Sequence, residues 1–178
     1  LLFLNTSHWN KHFSHSRLSE FLGKGSLINK MPGEYDAKFA NLRTFFGYMM
    51  AHPGKKLLFM GPEIGQWHEW DSNGQLDWYL LEHEENQQLH AFFKATNAFY
   101  KAESALWDID FDWQGFEWLV PDDNHNNVVV FLRRDQVGNE LLCAVNFSPN
   151  DYENYRVGVP PRKRSLANSP LRSTFLEA

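Results

Sequence analysis

Apolar residues recur at three- and four-residue steps in two stretches of the 178-residue chain. From Tyr35 onward Phe39, Leu42, Phe46 and Met49 share one face, which predicts a helix ending at Ala51-His52-Pro53-Gly54, where proline and glycine stop it. Leu89, Phe92, Phe93, Thr96, Phe99 and Tyr100 form a second stripe and predict a helix over 84–101. Between the two, 56–60 is an apolar run after its leading lysine, closed by Gly61-Pro62, and reads as a short buried strand. It empties into a long loop. Helix, tight turn, buried strand and long loop together form the unit of an α/β barrel, in which the loops after strands carry the chemistry.

Beyond Trp107 the pattern changes. β-Branched and aromatic runs at 115–120, 128–133, 140–147 and 155–159 are separated by Pro121-Asp122-Asp123-Asn124 and Asp135-Gln136-Val137-Gly138-Asn139. They predict an antiparallel meander, the opening of a β-sandwich. The expected fold is therefore α/β then all-β, with residues 1–108 in the first part, 109–178 in the second and the boundary near 105–112. Residues 1–22 show no clear period, and 23–34 read as a loop punctuated by glycines and Pro32.

Composition narrows the partners. A net charge of −5 with no basic face argues against a nucleic-acid backbone, the only positive cluster being Arg162-Lys163-Arg164. The single cysteine, Cys143, lies in an apolar run, which fits an inert core residue and a reducing cytoplasm. No membrane span or secretion signal is read. His8, His12 and His15 lie close together, but no carboxylate or thiol joins them at ligand spacing, so no metal site is expected.

The candidate chemistry lies in the loop after the 56–60 run. Trp67, Glu69, Trp70, Asp77 and Trp78 crowd it. Sugar rings stack their C–H faces on indoles and present hydroxyls to carboxylates and amides, so this mixture suits a sugar site. Tryptophans at element boundaries also serve simply as packing, and the residues alone leave both readings open. Trp107, Trp113 and Trp118 read as core and interface.

The sequence resembles the glycogen (1,4-α-glucan) branching enzymes of the α-amylase superfamily. The blocks that carry the resemblance are GKGSLINKMPGE from Gly23, KFANLR from Lys38, AHPGKKLLFMG from Ala51, GQWHEW from Gly65, LDWYLLEH from Leu76, GFEWL from Gly115 and NYRVGVP from Asn154. They stand in the family's order over roughly 23–160. The resemblance implies the C-terminal end of a (β/α)8 TIM barrel followed by an incomplete antiparallel β-sandwich, so the chain is expected to be a C-terminal fragment. It implies transfer of an α-1,4-glucan segment to a 6-hydroxyl, no cofactor, and glycogen or amylose as the partner. Lys24 is placed in the loop after strand seven, as a glucan contact or a solvated loop lysine. Trp67, Glu69, Trp70, Asp77 and Trp78 are placed in the loop after strand eight as glucan contacts, with Asp77 and Trp78 also read as orienting that loop by hydrogen bonding and packing.

No catalytic residue is expected in the chain. Retaining transfer needs a nucleophile and an acid/base carboxylate, which the family places on strands four and five, upstream of these blocks. A third carboxylate belongs to a His-Asp pair directly before GKGS, where this sequence reads SHSRLSEFL: Ser14-His15 is followed by Ser16, and Leu18-Ser19 by Glu20. That run is two residues short of the family pattern, and the match also dissolves after Val159-Pro160. Three other readings remain: a non-catalytic glucan-binding module, a fragment of an α-amylase-type hydrolase, and a non-functional remnant.

Overall fold

The computed structural model describes residues 2–5 and 25–160. Two long helices stand against one face of a four-stranded sheet of order β1-β4-β3-β2. Strand β1 is Leu2–Asn5, α1 Tyr35–Ala51, α2 Glu84–Ala102, β2 Phe116–Asp123, β3 Val128–Arg134 and β4 Glu140–Asn146.

Both helices form where the apolar spacing places them. Phe39, Leu42 and Phe46 of α1 are buried, with Met50 completing the row where the spacing predicted Met49, which is only half-buried. Leu89, Phe92, Phe93 and Thr96 of α2 are buried as well. The two stripes meet at Phe46 and Phe93, whose rings lie edge to face with centroids 4.5 Å apart.

Strand β3 pairs antiparallel with β2 and β4, Phe131 standing opposite both Trp118 and Cys143, while β1 runs parallel to β4. Strand side chains alternate between faces. Phe131 of β3 and Leu141, Cys143 and Val145 of β4 join the helices in one core. Val128, Val130 and Ala144 face the other way and are covered by Tyr152, Tyr155 and Val157. Cys143 is a buried free thiol, pushed up to about 12 by burial.

Three expectations change. The run Leu57–Met60 forms no strand with any described residue: it carries no regular element, Met60 sits at φ 52°, and Leu57, Phe59 and Met60 are 55%, 52% and 41% exposed. A buried parallel strand needs a neighbour on each side, and the described sheet lies elsewhere. Residues 155–159 also form no strand with any described residue: Tyr155 and Val157 pack on the face that carries Val128, Val130 and Ala144, and the Tyr155 hydroxyl donates to Asp123 Oδ2 at 2.7 Å. Trp113 is 82% exposed and so is no core residue, while Trp107 and Trp118 are each partly exposed; among the described residues Trp118 packs its ring against Phe116 and Phe131.

Candidate functional site: the tryptophan loop

Residues 61–83 leave the exposed run and return to α2. The loop opens with a turn at Pro62–Ile64 held between Gly61 at φ 96° and Gly65 at φ 66°, a left-handed backbone that favours glycine. A side chain at 61 would collide with Gln66, its Cβ standing 2.7 Å from Oε1. Gln66 is buried and spans the loop: its Oε1 accepts from the Asp77 N–H at 3.1 Å, and its Nε2 donates to the His68 carbonyl at 3.3 Å. Asn86 of α2, also buried, donates to the Ile64 carbonyl at 2.6 Å. Sequence reasoning missed both amides, since a lone Gln or Asn carries no pattern. Each clamps backbone that no regular element would satisfy.

The loop candidates occupy different environments. Trp67 is half-buried, stacked on Tyr35 with centroids 5.6 Å apart and planes at 18°, and edge-on to Phe39 at 6.1 Å. Its carbonyl accepts from Asn29 Nδ2 at 2.6 Å. Trp70 meets only one ring among the described residues, Phe59, at 5.1 Å and 87°. Asp77 Oδ2 is hydrogen-bonded to His68 Nδ1 at 2.8 Å, and its backbone is held by Gln66, so it orients the loop. Trp78 and Tyr79 begin the turn Trp78–Glu82 and are each 54% exposed. Glu69 is half-buried. Lys24 and the three early histidines lie outside the described residues.

The loop thus offers indole and phenol rings beside carboxylates and amides on a clamped backbone, which is suited to holding a polyhydroxylated chain. A cleft of 640 Å³ lies elsewhere, between Leu58 and Met60 on one side and His90, Phe93 and Lys94 of α2 on the other. None of the candidate residues lines it. No group of three His, Cys, Asp or Glu side chains among the described residues is placed to hold a metal, and no described helix is long and apolar enough to cross a membrane.

Comparison with known proteins gives the class first. Residues 118–169 match the family described as alpha amylase, C-terminal all-beta domain, which agrees with the three antiparallel strands β2, β3 and β4. Over a longer stretch the chain is 53% identical to a 1,4-alpha-glucan branching enzyme of Aquifex aeolicus, across 139 residues that make up 78% of this chain and 22% of the relative. It is 47% identical to the branching enzyme of Halothermothrix orenii, over 84% of this chain and 24% of that protein. With the Pseudomonas putida enzyme the identity is 45%, over 95% of this chain and 23% of the relative. The chain belongs to the family of the 1,4-alpha-glucan branching enzymes, as the motifs around the tryptophan loop implied, and spans about a quarter of the length of the curated relatives it matches.

Proposed function

We propose that the chain is the part of a glycogen branching enzyme in which the last segment of a (β/α)8 barrel, residues 1–108, meets a C-terminal all-β domain, residues 109–178. The parent reaction cleaves an α-1,4 bond, holds the glucan as a covalent glycosyl-enzyme and passes it to a 6-hydroxyl, in the cytoplasm and without a cofactor. The chain's share is to hold glucan through Lys24 and through Trp67, Glu69, Trp70, Asp77 and Trp78. The reacting carboxylates come from outside it.

One observation carries this reading. The apolar run Leu57–Met60 is half-exposed yet leads directly into the clamped tryptophan loop. An apolar run of that kind is suited to lie between two parallel strands, and the loop after such a strand is where barrel enzymes place their sites.

The test is a chimera in which residues 25–160 replace the matching segment of the Aquifex aeolicus enzyme. Formation of α-1,6 linkages from amylose supports the reading. A folded chimera that only releases reducing ends, with no new branches, assigns the segment to a hydrolase instead.

A further inference from the structure

Tyr35 was not among the candidates read from the sequence, yet it lies at the centre of the loop's packing. It is the first residue of α1, Glu85 is the second residue of α2, and Trp67 belongs to the loop between them. Helix N-termini in a β/α unit stand on the side of the loops that follow the strands, the side that carries sites. The three elements meet there. Tyr35 stacks on Trp67 at 5.6 Å with planes 18° apart and touches Phe39 at 5.2 Å, while 42% of it stays exposed. Trp67 is therefore the support and Tyr35 the outward ring.

The backing is fixed. Asn29 donates from Nδ2 to the Trp67 carbonyl at 2.6 Å and to Ser26 Oγ at 3.0 Å, tying the preceding loop to the stack. The Tyr35 hydroxyl is hydrogen-bonded to Glu85, and it is pushed up by burial and then by the charges of Glu85 and Asp36. A planar ring held from behind, with the Glu85 carboxylate at its edge, matches a hexose that offers C–H bonds to a face and hydroxyls to acceptors.

We infer that Tyr35, backed by Trp67 and flanked by Glu85, is the platform on which an α-1,4-linked glucan lies. This rests on the glucan-holding reading of the loop and moves the stacking surface from the indole of Trp67 to the phenol in front of it. Trp67 acts through Tyr35, so its own contact with sugar is secondary.

The test titrates the 178-residue chain with maltoheptaose, following tryptophan fluorescence, with circular dichroism to check each variant's fold. Tyr35→Leu keeps bulk over Trp67 without an aromatic face, and should weaken binding about tenfold or more, on the scale of stacking on aromatic side chains. Tyr35→Phe keeps the face and should bind within about threefold of the parent, a loss on the scale of one net hydrogen bond. Equal affinity of Tyr35→Leu and the parent overturns the platform while leaving the glucan reading intact. If the parent itself gives no response to maltoheptaose, the glucan reading falls and the platform with it. Trp70→Ala separates the two ideas further, because Trp70 packs on Phe59 and not on Tyr35.

Discussion

Arg133 Nη2 donates to Asp110 Oδ1 at 2.9 Å, in a site where the arginine side chain is wholly buried and the aspartate nearly so. The same guanidinium donates to the carbonyls of Ala51, at the end of α1, and of Leu106, just beyond α2, each at 2.9 Å. One β3 side chain thus ties the end of α1 and the turn that follows α2 to the sheet. Removing one member of such a pair strands the other charge without a partner, which is typically worth about 3–5 kcal/mol. Asp110→Ala is expected to lower unfolding stability by that amount in urea titration, and Arg133→Met/Asp110→Leu by clearly less.

Lys56 stands beside this pair. It donates to the His52 carbonyl, its Nζ lies 5.4 Å from the Tyr100 ring centre, and its pKa is lowered to about 8, first by burial and then by Arg133, against the opposing pull of Asp110. The unfolded amine titrates near 10.5. Above about pH 8 the unfolded chain keeps a proton that the folded chain has released, so raising the pH favours the folded form. Cys143 opposes this above about pH 9, where the unfolded thiol ionises while the folded one, raised to about 12, does not. Stability is therefore expected to rise between pH 8 and 9 in the parent and to lose that rise in Lys56→Met, as read from urea midpoints.

The row Leu57, Leu58, Phe59 and Met60 presents exposed apolar side chains on backbone that joins no described strand. Such a row invites association. Sedimentation of the isolated chain is expected to show oligomers that shrink when Leu57→Lys and Phe59→Glu are introduced. A monodisperse monomer with a sharp, cooperative unfolding transition contradicts this.

Trp67 and Trp70 are expected to separate. Trp67 is wedged between Tyr35 and Phe39, so Trp67→Ala should lower stability by about 2 kcal/mol, less than for a fully buried ring because it is only half-buried. Trp70 has a single edge-on partner, and Trp70→Ala should change stability little while weakening maltooligosaccharide binding by about 1–3 kcal/mol. Thermal unfolding and titration of both variants decide it.

The helices were legible because spacing and stop signals agree at Phe39, Leu42 and Phe46 and at Ala51-His52-Pro53-Gly54. The meander was legible in part: turn residues over 135–139 separate β3 from β4, but Pro121, Asp122 and Asp123, read as a turn, close β2, and the turn follows at 124–127. The state of Leu57–Met60 was not, since an apolar run looks the same whether or not strands flank it, and burial depends on those neighbours. Tyr155 misled because its segment carries strand composition, yet its apolar side chains cover the Val128, Val130 and Ala144 face and join no described strand. At the site, the rings of the loop were readable as a cluster. Tyr35, Glu85, Gln66 and Asn86 were not, because each acts across a gap in sequence that only the fold closes.

The proposed role, holding glucan without the reacting carboxylates, is tested most directly by one assay. Purified chain is incubated with amylose while iodine colour and reducing ends are followed. Retaining transfer needs two carboxyl groups about 5 Å apart across one glycosidic bond. Of the loop's carboxylates, Asp77 is engaged with His68 in orienting the loop, and neither it nor Glu69 is given a catalytic part. The expected result is no change over a blank in either signal. Turnover that disappears in Glu69→Gln or Asp77→Asn would contradict the account and make the tryptophan loop itself the reacting centre.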